Sequence, residues 1–430
     1  MSAANTSRAM VAGAIGNLLE WYDFTVYGYF AASIGRAFFP QQNQVAQVLS
    51  AFGIFAVGFL MRPIGGALFG YIGDRFGRRV ALSASVVAMA LPTFLIGVLP
   101  GYAVLGIAAP LLLTLLRMIQ GLSVGGEYTT SVVFLVEHAR PERHGVVGAV
   151  ANLGGLSGIL AGSATGAVLE TVMSAQAVQE WGWRVPFWIG LSVGLAGLVL
   201  RRGLEEKPLA NPRQGTSLLA VLRQHWRVLL YLAFVSVFGA VGFYLIFVYI
   251  VSWLQFADGV APAQALSINT ISMLLLLPLE VGMAALSDRI GRRPVLLWAT
   301  GLTIVFAWPL FRLLHGPEQW MILSGQIGFV LLVGGYYGCL PAFMVETAPA
   351  PVRCTAIALG YNVSLGLIGG VSPMVATWLV YRTANDYTPA FMIMAAAAIS
   401  FLVLAHGFGL RGSNDRPAAR RGAGSHDGRH

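Results

Sequence analysis

The chain has 430 residues, of which 57% are hydrophobic and only 10% charged, against about a quarter charged in soluble proteins. So few polar side chains cannot cover a water-facing surface, which excludes an ordinary soluble domain. The formal charge of +9 is no nucleic-acid footprint, because its basic residues are sorted by loop rather than gathered on one patch.

Apolar windows separated by polar loops predict about twelve membrane-spanning helices, each long enough to cross about 30 Å of hydrocarbon. Their limits fall at 10–36, 46–73, 80–99, 107–137, 145–172, 185–202, 227–256, 263–287, 294–314, 320–346, 353–381 and 389–410. The longest internal polar stretch, 203–226, contains Glu205, Glu206, Lys207, Pro208 and Pro212 and divides six spans from six. The predicted organisation is therefore a first six-helix bundle at 1–202, a cytoplasmic linker at 203–226, a second bundle at 227–410 and a disordered basic tail at 411–430. The fold class is an all-α membrane protein built from two pseudo-symmetric bundles.

The two halves repeat each other. Gly-Tyr-Ile-Gly-Asp-Arg-Phe-Gly-Arg-Arg occupies 70–79, and a shorter copy, Ser-Asp-Arg-Ile-Gly-Arg-Arg, occupies 287–293. Asp74 and Asp288 stand 288 − 74 = 214 positions apart, close to half the chain. Glu137 and Arg143 recur as Glu346 and Arg353, at offsets of 346 − 137 = 209 and 353 − 143 = 210. Duplicated sets of membrane helices are the architecture of solute carriers.

Of the 27 Lys and Arg, 21 fall on one side of this topology. They are Arg8, Arg75, Arg78, Arg79, Arg140, Arg143, Arg201, Arg202, Lys207, Arg213, Arg223, Arg227, Arg289, Arg292, Arg293, Arg353 and five in the tail. Arg36, Arg184, Arg312 and Arg382 lie on the other side, while Arg62 and Arg117 lie within spans. This bias predicts that both termini are cytoplasmic, and the expected location is the cell inner membrane.

Charges at bilayer depth are costly and mark paths for ions or substrates. Glu20 and Asp23 are three residues apart and share a helix face. Arg62 lies twelve residues before Asp74, about 18 Å from the cytoplasmic end at 1.5 Å per residue. Arg117, Gln120 and Glu127 fall within about 80° of one another around their helix. Two positives thus face three negatives near mid-membrane, and the surplus carboxylate suits a proton. In the second half Glu280 is the one deep acid, about 10 Å from the cytoplasmic end. Asp23, Glu127, Glu20 and Glu280 are accordingly the candidates for proton coupling.

Tyr27, Arg62, Arg117 and Gln120, with Trp253, Tyr336 and Asn362 from the second half, are the candidate substrate contacts. Asp74, Arg75, Arg78 and Glu137, with Asp288, Arg289, Arg292 and Glu346, are the candidate gates. An acid at a helix end beside arginines can hold one conformation shut through contacts made there alone. The second copy is shorter, so Asp288 is expected to matter less than Asp74. Gly154, Gly158, Gly162 and Gly166 form a packing stripe in span five. Cys339 and Cys354 read as packing residues, and no metal, cofactor or enzyme signature stands out.

Gly-Asn-Leu-Leu-Glu-Trp-Tyr-Asp-Phe (16–24), Phe-Leu-Met-Arg-Pro-Ile-Gly-Gly (59–66), Arg-Met-Ile-Gln-Gly-Leu-Ser-Val-Gly-Gly-Glu (117–127) and Glu-Trp-Gly-Trp-Arg-Val-Pro-Phe (180–187) together resemble the major facilitator superfamily. Within it they are similar to the metabolite:proton symporters, which carry solutes such as α-ketoglutarate, citrate, shikimate and proline or betaine. The resemblance implies a proton-driven importer, monomeric and free of cofactors, with one cavity between two rocking bundles. Two features depart from the pattern. A short basic tail stands where osmosensing members carry a long coiled coil, and Glu280 stands where an uncharged residue is expected. The substrate expected is a small organic acid, since Arg62 and Arg117 can each grip a carboxylate with two hydrogen bonds. The alternative is a zwitterionic osmolyte such as proline or betaine, if both arginines are occupied by acids of the chain itself.

Overall fold

The computed structural model describes residues 17–40, 43–65, 68–69, 72, 78–123, 127–137, 139–202 and 218–407. Asp74, Arg75, most of the predicted linker and the basic tail lie outside the described residues, as do the side chains of Arg78 and Glu127.

Twelve spans follow in chain order. Span one comprises residues 17–29 and Ala31–Phe38, and span two is Gln44–Gly65. Span three is Arg78–Val98, and span four joins Ala108–Ser123 to Glu127–Glu137. Spans five and six are His144–Val172 and Val185–Arg202. Span seven runs through Leu218–Phe243, Tyr244–Tyr249 and Ile250–Ala257. Spans eight, nine and ten are Pro262–Ile290, Arg292–Leu314 and Gln319–Thr347. Span eleven comprises Arg353–Val363, Ser364–Gly369 and Ser372–Thr383, and span twelve is Thr388–His406. Among the described residues, eight helices meet the length and hydropathy needed to cross a bilayer by themselves.

Local chemistry sets the boundaries. Asn43 caps span two by accepting from the Val45 amide at 2.8 Å. Pro262 opens span eight, where its missing N–H costs nothing. Gly291 ends that span at φ 93°, a conformation L side chains avoid. This is the physical reason for glycine in Asp-Arg-Ile-Gly-Arg-Arg: the chain must reverse there to start span nine one residue later. Span seven begins at Leu218, inside the expected linker, and bends at His225 (φ −117°) before entering the bundle. The Leu- and Val-rich run after Ser217 explains the early start.

Span seven is almost wholly buried at the heart of the second half, whereas spans eight and nine turn apolar faces outward. Leu274, Trp298 and Val305 are among those exposed apolar residues, as a lipid-facing surface requires. The glycine stripe of span five packs as anticipated: a Cβ at Gly158 would sit 2.2 Å from the Leu18 carbonyl oxygen of span one. Spans seven and eleven each carry one π-helical turn, Tyr244–Tyr249 and Ser364–Gly369, near their midpoints. Such turns widen a helix locally and rotate the side chains that follow. Both lie against span two, so the irregular backbone faces the seam between the halves.

Candidate functional site

The charged residues of the first half form two closed ion pairs beside that seam. Arg62 Nη2 lies 3.1 Å from Glu20 Oε1, and Arg117 Nη1 lies 2.9 Å from Asp23 Oδ2. Arg117 and Asp23 are both fully buried. Arg117 Nη1 also donates to Gln120 Oε1 at 2.9 Å, and Gln120 Nε2 donates to Thr93 Oγ1 at 2.8 Å. Thr93 Oγ1 in turn sits 2.8 Å from Asp23 Oδ1, which completes a ring of four side chains from spans one, three and four. Hydrogen bonds linked in such a ring strengthen one another in a dry interior.

Aromatic faces hold the two guanidiniums. Arg117 lies 4.3 Å from the Tyr27 ring centroid and 4.6 Å from that of Phe24. Arg62 lies 4.3 Å from Phe59 and 4.9 Å from Phe24, so Phe24 separates the two pairs. Stacking of this kind replaces part of the hydration each cation gives up. Arg62 Nε, Arg117 Nε and Arg117 Nη2 keep no hydrogen-bond partner among the described residues.

The halves meet around these pairs. Trp21 stacks on Tyr244 at 6.4 Å, and Tyr244 meets Phe55 and Phe59 edge-on at 5.9 and 5.1 Å. Tyr128 of span four and Tyr361 of span eleven lie 5.4 Å apart. Asn152 Nδ2 of span five donates to Glu280 Oε1 of span eight at 2.6 Å.

Both ends of the seam are bridged. At the end rich in arginine, Asp288 accepts from the amides of Gly145 and Val146 and pairs with Arg292 at 2.6 Å. Glu346 lies 3.2 Å from both Arg292 and His144, and Arg353 pairs with Glu137. Toward the other end, Asn269 Nδ2 donates to the Tyr29 hydroxyl at 3.0 Å, and Ser163 and Thr270 share a 2.8 Å hydrogen bond. The halves therefore touch on both sides of the arginine pairs.

The site gathers Glu20, Asp23, Tyr27, Arg62, Arg117 and Gln120, and Glu280 lies at the seam. Three expected contacts are engaged elsewhere. Trp253 Nε1 donates to the Asp386 carbonyl while its ring packs on Phe311 and His315, which fixes it at the outer end of the second half. The Tyr336 hydroxyl donates to the Val235 carbonyl within the same half. Asn362 Nδ2 donates to Ala358 of its own helix at 2.8 Å. In each case a backbone carbonyl already takes the polar tip. Among the gates, Glu137, Asp288, Arg292 and Glu346 form the inter-half cluster, whereas Arg289 is exposed at the end of span eight.

Sequence reasoning missed Thr93, Tyr128, Asn152 and Tyr361. Thr93 is a hydroxyl in the apolar second half of span three, Tyr128 follows Glu127 directly, and Tyr361 is the neighbour of Asn362. A shift of one residue turns a side chain by about 100° around a helix, so Tyr361, which meets Tyr128 across the seam, and Asn362 point in different directions.

Comparison with known proteins agrees with this architecture. Residues 13–361 match the Major Facilitator Superfamily. The chain is 34% identical over 410 residues to the glycine betaine/proline/ectoine/pipecolic acid transporter OusA of Dickeya dadantii, covering 92% of this chain and 82% of that protein. It is 33% identical over 425 residues to the proline/betaine transporter of Salmonella typhimurium, covering 95% and 84%. Its fold is similar to that of a crystallised D-xylose-proton symporter, with a TM-score of 0.75 at 19% identity over 93% of this chain and 97% of that one. With a family match across most of its length and two such relatives, the chain belongs to the Major Facilitator Superfamily: it is a multi-pass membrane transporter of small molecules, not an enzyme.

Proposed function

We propose that this chain is a proton-coupled symporter that imports a zwitterionic osmolyte of the proline or betaine kind by alternating access. One observation carries the reading. Each mid-membrane guanidinium already holds a carboxylate of the chain, Arg62 with Glu20 and Arg117 with Asp23. A di- or tricarboxylate entering between them meets no unneutralised cation there, and its desolvation is left uncompensated. A zwitterion brings no net charge and asks only for a local donor at one end and an acceptor or aromatic face at the other. The unpartnered Arg62 Nε and Arg117 Nη2 are donors of that kind, and Trp21, Tyr244 and Tyr361 are such faces. The organic acid favoured by sequence thus gives way to its alternative, and the names of the relatives point the same way.

Asp23, Glu20, Glu127 and Glu280 remain the candidate proton carriers, with Asp23 first. The positive-inside bias supports a cytoplasmic arginine-rich end with both termini on that side, and the reading includes a monomer in the inner membrane.

The test is uptake by purified protein in proteoliposomes under an inward proton gradient. Labelled proline or glycine betaine accumulates above equilibrium, a protonophore abolishes that accumulation, and citrate, succinate or shikimate in large excess does not compete. Accumulation of one of these acids, unaffected by proline and betaine, would sink the reading.

A further inference from the structure

Glu280 differs from the other acids near the seam. Glu20 and Asp23 each face an arginine, whereas among the described residues Glu280 hydrogen-bonds the neutral amide of Asn152, at Oε1. The residue is fully buried, and its Oε2 has no hydrogen-bond partner among the described residues. A buried carboxylate oxygen without a partner is a costly feature in a folded protein, and a ligand that donates to it removes the cost.

The surroundings define what that ligand would be. Tyr128 from the first half and Tyr361 from the second stand 5.4 Å apart, and both lie within electrostatic reach of Glu280. Tyr361 is also within reach of the Arg62–Glu20 pair. Tyr361 is thus a common neighbour of a guanidinium with a spare Nε and of a carboxylate with a spare oxygen. A donor and an acceptor without partners among the described residues therefore lie near the same pair of tyrosines, with groups from both halves contributing.

The geometry points to Glu280 as the ammonium subsite of the transported zwitterion, walled by Tyr128 and Tyr361, with the substrate carboxylate turned toward Arg62. This rests on the zwitterion reading and adds a specificity to it. The free Oε2 of an ionised carboxylate is a hydrogen-bond acceptor, so it rewards a cationic nitrogen that carries N–H. A secondary ammonium such as that of proline has two such hydrogens. A quaternary ammonium such as that of betaine has none and relies on charge and the tyrosine faces alone. Sites built to hydrogen-bond a substrate N–H discriminate against the analogue that lacks it. The chain therefore prefers N–H-bearing zwitterions to fully methylated ones.

Titration calorimetry on the purified full chain tests this with proline, N-methylproline and N,N-dimethylproline. Affinity falls at each methylation, by at least about tenfold over the series, as loss of charge-assisted hydrogen bonds requires. Affinity that stays flat or rises with methylation overturns the assignment and leaves the zwitterion reading intact. In Glu280→Gln the preference collapses: proline binding weakens by about tenfold or more, while dimethylproline changes only a few-fold. Equal losses for both ligands would mean that Glu280 merely joins the halves. Should that variant fail to fold, the wild-type methylation series decides alone. If the wild type binds none of the three ligands but binds citrate or succinate, the zwitterion reading itself has failed, and the subsite with it.

Discussion

Asp288 at the foot of span eight accepts hydrogen bonds from the backbone amides of Gly145 (2.9 Å) and Val146 (3.1 Å), the first turn of span five in the opposite half. Those amides have no partner within their own helix, and together they carry part of the positive end of its dipole. Arg292, 2.6 Å away, fixes the carboxylate in place. One side chain thereby ties the two halves together at the arginine-rich end.

Asp288→Asn keeps one acceptor but loses the charge and the second oxygen. Closure of that end should weaken by about 1–2 kcal/mol, tilting the protein toward opening there and slowing turnover. Cys339, buried in span ten and within electrostatic reach of Asp288 and Arg292, is a native reporter. In a Cys354→Ser background, small thiol reagents should modify Cys339 several-fold faster when Asp288 is neutralised. An unchanged rate returns Asp288 to a topology anchor. The Arg353–Glu137 pair is partly exposed, and such pairs contribute about 0–1 kcal/mol. Arg353→Ala should therefore affect labelling much less.

The span order and the paired acids of the first half were legible because they rest on local rules: hydropathy sets span length, and a spacing of three sets a shared face. Which acid meets which arginine was not, since Asp23 and Arg117 are 94 positions apart and their pairing is decided by helix packing. The second half resisted further. Tyr336, Trp253 and Asn362 resemble cavity residues in sequence, yet nearby carbonyls engage all three, while Asn152 gave no signal beyond one amide in a glycine-rich helix.

Sidedness is open to direct measurement. With the native cysteines replaced, a single cysteine at Arg140, beside the inter-half cluster, should react with a membrane-impermeant reagent only from the cytoplasm. One at Arg382, beyond span eleven, should react from outside intact cells. Labelling of position 140 from outside would invert the topology and with it the direction assigned to transport.

Arg117→Lys separates the two substrate classes. Lysine keeps the charge but loses the two-pronged fork. Arg117 Nη1 serves Asp23 and Gln120, so its chief duty is internal and affinity for proline or betaine should change only a few-fold in folded protein. If the guanidinium instead grips a substrate carboxylate, affinity falls by on the order of 1.5–3 kcal/mol, or about tenfold to over a hundredfold. Equilibrium binding to folded variant protein distinguishes the two outcomes, and the steep loss would revive the organic-acid reading.

Proton counting around Thr93 singles out Asp23. The Thr93 hydroxyl has one hydrogen to give, yet it lies 2.7 Å from the Met89 carbonyl and 2.8 Å from Asp23 Oδ1, while Gln120 donates to it. With Asp23 ionised, both neighbours are acceptors and one of them goes without. With a proton on Oδ1, Asp23 donates to Thr93, Thr93 donates to Met89, and both conflicts at the hydroxyl are resolved while Oδ2 keeps its bond to Arg117. The ring therefore accommodates a proton on this acid without moving a side chain. Asp23→Asn presents a permanent donor in that place and mimics the loaded state. It should abolish accumulation driven by a pH gradient and spare exchange of labelled for unlabelled substrate across proteoliposomes. Thr93→Val, which removes the hydroxyl and leaves the acid, should retain coupling but shift its pH dependence. Gradient-driven accumulation by a folded Asp23→Asn protein would move the proton to Glu20, Glu127 or Glu280.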